Sequence, residues 1–136
     1  MRKAALAALF SLLALPWSAG ASQEPLVDPP AITIPANIPK AAAANAIKQG
    51  LDARRWQVDK EQPGLVRATV RASGNVQATV DVSYDAQKIQ IRYVASQNLD
   101  QRGSGEQRTI GSRYINWSRN LSLSITQALL QQPISR

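Results

Sequence analysis

The stretch Leu65-Val66-Arg67-Ala68-Thr69-Val70-Arg71-Ala72-Ser73-Gly74-Asn75-Val76-Gln77-Ala78-Thr79-Val80-Asp81-Val82-Ser83-Tyr84 decides the fold. Val66, Ala68, Val70 and Ala72 alternate with Arg67, Thr69 and Arg71. After Ser73-Gly74-Asn75 the alternation resumes, with Val76, Ala78, Val80, Val82 and Tyr84 against Gln77, Thr79, Asp81 and Ser83. A period of two is the signature of a strand with one buried and one wet face. A three-residue loop at 73–75 sets Val70 opposite Ala78, Ala68 opposite Val80 and Arg67 opposite Asp81. A one-residue slip would send apolar side chains to both faces, so that register is forced.

On the C-terminal side, Asp85-Ala86 turns the chain and Ile89, Ile91 and Tyr93 return it, opposite Lys88, Gln90 and Arg92. On the N-terminal side, Gln62-Pro63-Gly64 is a turn, and before it Trp56 and Val58 alternate with Gln57 and Asp59 as a short strand. Two amphipathic stretches flank these four strands. Pro39 suits a first helical turn, and Lys40 to Arg54 is alanine-rich, with Ala43, Ala44, Ile47 and Leu51 on one stripe and Gly50 as a weak point within it. Gln97 to Gly111, with three glycines, reads as a loop. Ser112 can then cap a helix whose stripe is Tyr114, Trp117, Leu121, Ile125 and Leu129, ended by Pro133. The expected domain, residues 39–132, is therefore α+β: helix, four-stranded antiparallel meander, helix, with both helices on one face of the sheet.

Two segments precede it. Arg2-Lys3, the uncharged apolar run Ala4 to Leu15, and Ala19-Gly20-Ala21 make the three-part pattern of a signal peptide, with cleavage expected after Ala21 and a periplasmic product. The run is too short for a permanent membrane span, and no later segment approaches that length. Removing Arg2 and Lys3 lowers the net charge from +7 by two. Residues 22–38 form a leader holding Pro25, Pro29, Pro30 and Pro35, with Pro39 just beyond. Proline at this density excludes helix. The composition favours a polyproline-like mobile spacer, while Ile32, Ile34 and Ile38 offer an edge segment that docks on the domain.

The 136 residues contain no Cys and no His. Disulfides, thiol catalysis, zinc knuckles and the imidazole base are thereby excluded, and no cofactor or metal is expected. Asp59 and Glu61 read as solvated charges beside the Pro-Gly turn, and Asp81 as the cross-strand partner of Arg67. Gly103-Ser104-Gly105 lacks the length and the Lys of a phosphate-cradling loop. Trp56, Trp117, Tyr84, Tyr93 and Tyr114 fall on the apolar stripes and read as packing anchors.

A resemblance is carried by Ile47-Lys48-Gln49-Gly50-Leu51, Arg55-Trp56, Pro63-Gly64, Ala68, Val80-Asp81-Val82-Ser83-Tyr84, Ile89-Gln90-Ile91-Arg92-Tyr93, Ser96-Gln97-Asn98-Leu99, Tyr114-Ile115-Asn116-Trp117 and Leu121. In order and spacing these resemble a family of small, functionally uncharacterised exported proteins and lipoproteins of proteobacteria. Its pattern is a helix ending near "GW", a "PG" turn, an "IPYS"-like strand, an "IxYxxSxNL" strand and a "YNxWxxNL" helix. The chain departs from it in lacking both the lipoprotein Cys and a His often placed before the final helix. The resemblance implies a bacterial envelope protein and implies no activity.

Function is narrowed by charge. Lys and Arg number 16 against nine Asp and Glu, giving a pI near 10.4. In the expected meander Arg67, Arg71, Lys88 and Arg92 all point off the face without helices, opposed by Asp81, so the face carries about +3. Such a face suits an anionic envelope component or an acidic protein surface. Nucleic acid is not expected, because an exported protein seldom meets it and no aromatic platform lies among these side chains. The expected function is an exported binding module. A small carboxylate- or Tyr-dependent envelope enzyme is the alternative, and a charged face that only blocks sheet-to-sheet aggregation is a third reading.

Overall fold

A computed structural model of the chain describes residues 23–133. The signal-peptide expectation, including cleavage after Ala21, lies outside the described residues. The strands are β1 (Gln23–Pro25), β2 (Ile32–Thr33), β3 (Gln57–Gln62), β4 (Leu65–Ala72), β5 (Val76–Tyr84), β6 (Lys88–Gln97) and β7 (Thr109–Gly111). The helices are α1 (Lys40–Ala53) and α2 (Ser112–Leu130), with a short 3-10 turn at Gly105–Gln107.

The β4–β5 hairpin keeps the register expected from its alternation and three-residue loop, while β6 slips by one residue against β5 between Thr79 and Val80. β4 and β5 pair antiparallel, with Val70 opposite Ala78, Ala68 opposite Val80 and Arg67 opposite Asp81. The hairpin closes through Gly74 and Asn75 at φ of +81° and +59°, a left-handed pair that glycine and asparagine enter at little cost. Val66, Ala68, Ala78, Val80, Val82 and Ile89 are wholly buried, in one core with Ile47 and Leu51 of α1 and Leu121 and Ile125 of α2. Both helices thus cover the same face of the sheet.

The expected helix, four-stranded meander, helix order is overturned. There are two antiparallel sheets among the described residues: a five-stranded one ordered β2-β6-β5-β4-β3 and a two-stranded one, β1-β7. The additional strands come from the segments read as spacer and loop. Residues 23–38 are docked, not free. Gln23–Pro25 pairs with Thr109–Gly111, Ile32–Thr33 pairs with Lys88–Ile89, and Leu26, Ile32, Ile34 and Ile38 enter the core. Proline removes a backbone donor, which an edge strand can spare. The chain therefore runs as an edge segment between its prolines, and pairings of two or three residues are too short to leave a periodicity.

Two further details differ from expectation. β3 bears no buried residue. Its register with β4 shifts between Val58 and Lys60, a bulge that turns both Asp59 and Lys60 toward the uncovered face. Ser112 begins α2 within the helix, and Gly111 occupies the N-cap.

Gly50 has a packing role that its low helix propensity conceals. A Cβ there would stand 2.5 Å from Ile125 Cγ1 and 2.8 Å from the Ile125 Cα and N. The missing side chain is what lets α1 and α2 cross at this distance. Just beyond, Arg55 takes φ of +66°, and the Trp56 N–H donates to the Leu51 carbonyl at 2.9 Å. This left-handed helix stop turns Trp56 into the core, where it is 5% exposed.

Candidate functional site

The uncovered face of the five-stranded sheet is assembled from alternate residues of each strand. Across its middle, Lys60 stands opposite Arg67, Arg67 opposite Asp81, and Asp81 opposite Arg92. Arg67 clasps Asp81 with two parallel bonds, Nε to Oδ1 at 2.7 Å and Nη2 to Oδ2 at 2.9 Å. These hydrogen bonds hold the Asp81 carboxyl below the usual carboxylate range against the opposing effect of partial burial, and raise the Arg67 guanidinium. One row away, Thr69 donates to the Asp59 carboxylate and bonds Thr79 at 2.8 Å. Each hydroxyl has a single proton, so Thr79 donates to Thr69 and the chain runs Thr79, Thr69, Asp59. Thr69 is 4% exposed, the only residue of the β4 open face that is buried.

The four residues singled out from the sequence do share this face, but they do not converge. Arg67 is spent on Asp81. Arg71 reaches the Gln57 Oε1 at 3.5 Å, and Arg92 donates through Nη2 to the Gln90 Oε1 at 2.7 Å. The Lys88 side chain is exposed at the far end of β6, beside Thr33 of β2. Arg71, Lys88 and Arg92 have no carboxylate at ion-pair distance among the described residues.

Lys60 completes the set, equally exposed and without an ion pair within 4 Å among the described residues, though near enough to Asp81 to help lower its carboxyl pKa. Strict alternation hides it, because the bulge at Asp59 moves it to this face. Counting Lys60, Arg67, Arg71, Lys88 and Arg92 against Asp59, Asp81 and Asp85, which stands beside Lys88 at the turn, the face retains an excess of two positive charges. Glu61, on the other side of the bulge, pairs with Lys48 of α1 at 3.0 Å.

On the opposite side of the molecule, a groove of about 510 Å³ runs between the leader and α2. Pro25, Val27, Pro29 and Pro30 face Ile115 and Leu123 across it. Behind the leader, Asp28 accepts the Tyr93 N–H at 3.0 Å, and the Tyr93 ring meets the Tyr114 ring edge-on at 5.4 Å. The buried Tyr114 hydroxyl has no hydrogen-bond partner among the described residues, and burial pushes its pKa well above the usual phenol value. A phenol so held stays protonated and is a poor base. Among the described residues no group of three or more carboxylates is placed to hold a metal ion, and no helix is long and apolar enough to cross a membrane.

No protein-family model, no curated protein and no solved structure matches the chain.

Proposed function

We propose that the chain is an exported, periplasmic binding module whose uncovered sheet face takes an anionic partner from the cell envelope. The observation that carries this reading is the charge on that face. Four exposed cations (Lys60, Arg71, Lys88 and Arg92) form no ion pair within 4 Å among the described residues, though Asp81 lies near Lys60 and Asp85 near Lys88, and no helix covers them. Cations displayed on a rigid sheet attract anions without a cost of ordering the backbone first. The N-terminal signal pattern and the resemblance to exported envelope proteins support this compartment. An enzymatic reading finds less support. Asp59, Glu61 and Asp81 are each engaged by Thr69, Lys48 and Arg67, and Tyr114 is buried in its protonated form.

The test exchanges Lys60, Arg71, Lys88 and Arg92 for Gln together, leaving the Arg67–Asp81 pair intact. Partner capture by crosslinking in living cells is expected to fall sharply. Binding of purified protein to anionic probes at low ionic strength should drop at least tenfold, with an unchanged thermal midpoint. Binding of the parent protein should weaken steeply as salt rises. N-terminal sequencing of the periplasmic product should read Ser22. Full binding by the folded quadruple variant would reduce the face to a charged shield and move the function to the leader groove or to the loop after β6.

A further inference from the structure

We infer that the ligand of this face is an extended polyanion lying along the sheet, not a compact anion held at one point. The inference rests on the binding role proposed above and follows from the register. Gln77, the β5 partner of Arg71, lies eight residues before Asp85, beside which Lys88 begins β6. At about 3.4 Å per residue these two cations are therefore separated by roughly 27 Å along the strands. Lys60 and Arg92 share the middle row, three strand spacings apart, roughly 14 Å. Each end of the face is about 14 Å in strand direction from that middle row.

The four cations outside the Arg67–Asp81 pair, none of them in an ion pair within 4 Å among the described residues, thus mark a path along the sheet with regular gaps. Between them lie hydroxyls and amides, among them Thr79, Ser83 and Gln90. The middle row, where Lys60, Arg67 and Arg92 flank Asp81, is closed to a small anion. Asp81 is already bound bidentately there, and Arg92 is drawn aside by Gln90. A single phosphate or carboxylate has no chelating pair to enter. A flexible chain with many negative groups meets each cation in turn, and every contact after the first is intramolecular. Among the described residues only Tyr84 borders the path, at its Lys88 end, and it packs toward the core, so the recognised feature is the spaced charge, not a stacked ring.

The experiment uses linear polyphosphates of graded length, from orthophosphate to chains longer than the face, with anionic vesicles in parallel. Affinity is expected to climb by about 10²-fold or more as the chain grows long enough to touch both ends, then to level off. Arg71→Gln and Lys88→Gln, at the two ends, should weaken long chains and leave short ones unaffected, while Arg92→Gln weakens both. If orthophosphate binds as tightly as the long chain, or if only vesicles bind, and the quadruple Gln variant abolishes that binding, the face is a site but the extended-polyanion inference is overturned. If no probe distinguishes parent from quadruple variant, the binding role itself fails.

Discussion

The two faces of the five-stranded sheet share one backbone, are built from alternate residues along it, and hold together by different means. On the helix side, Val66, Ala68, Val80, Val82 and Ile89 are wholly removed from water against α1 and α2, and the gain scales with the apolar area hidden. On the open side the side chains stay partly wet, and order comes from directed bonds: Arg67 to Asp81, and Thr79 through Thr69 to Asp59. Surface ion pairs contribute little to stability, because solvent screens them and two long side chains must be fixed. The difference separates the tasks. The helix side carries the folding energy, so the open side is free to carry charge that folding does not need.

The comparison breaks most visibly at Trp56. It is 5% exposed and set into the core by the left-handed turn at Arg55, so Trp56→Ala should cost about 3–5 kcal/mol in urea unfolding. That is a large share of the stability of a domain this small. Trp117→Ala should cost clearly less, since Trp117 is only half-buried and has Arg113 over its ring at 5.1 Å. Equal losses at the two tryptophans would mean that the outer part of the helical layer is packed as tightly as its centre.

Gly50→Ala tests the same side by overfilling it. Alanine improves helix propensity by roughly 0.5–1 kcal/mol, but its Cβ collides with Ile125 at the distances above, and overpacking of this kind costs about 1–3 kcal/mol. A net loss is expected. Ile125→Ala should not rescue it, because the Cα and N at 2.8 Å are backbone and remain. A stabilised Gly50→Ala protein would show that the helices can part without loss.

These sites also mark how much was legible in the sequence. The β4–β5 hairpin was, register included, since the period of two together with a three-residue loop at 73–75 sets its partners; the one-residue shifts of β6 against β5 at Thr79/Val80 and of β3 against β4 were not. The helices were too, because stripes at three- and four-residue steps need no tertiary information. The leader was legible in part: Ile32, Ile34 and Ile38 offered the docked edge segment that the structure shows, whereas β1 was hidden, because prolines at 25, 29, 30 and 35 signal what the backbone cannot donate and say nothing of an edge that needs no donor. Lys60 was missed because a bulge changes parity without changing composition. Gly50 looked like a weak point, since close approach is a property of two helices and not of one. Of the candidate site, Arg67, Arg71, Lys88 and Arg92 were placed on one face correctly by alternation. That Arg67 is occupied while the others are free depends on side-chain bonds that alternation cannot assign, although it did set Arg67 opposite Asp81.

Thr69→Val carries the comparison to the open face. Valine keeps the shape and the strand preference but strips the middle hydroxyl from the Thr79–Thr69–Asp59 chain. The Asp59 carboxylate and the Thr79 hydroxyl then lose their partner in a partly buried spot, at about 1–2 kcal/mol. Thr69→Ser should recover most of this. No loss on Thr69→Val would mean that water substitutes freely and that the open face is ordered by its backbone alone.

The smallest effect on stability, and the sharpest separation of the two faces, is expected at Asp81. Its carboxyl is held below the ordinary range, first by the hydrogen bonds from Arg67. A carboxyl whose folded pKa lies under its unfolded value, about 3.9, adds stability that is fully present above that value and is lost as pH falls through the lower folded one. Asp81→Asn should therefore lower the thermal midpoint slightly at neutral pH and flatten its fall in acid below about pH 4. Asp85 is lowered as well, by the N–H groups of Gln87 and Lys88, so part of the acid dependence should persist until Asp85→Asn is added. Binding should move the other way. Without Asp81 the guanidinium of Arg67 is released, the face gains a positive charge, and anionic probes should bind more tightly at low salt even as the protein becomes a little less stable. A variant that lost both stability and affinity would show that the clasped pair shapes the binding surface, and that the two tasks are not divided between the faces after all.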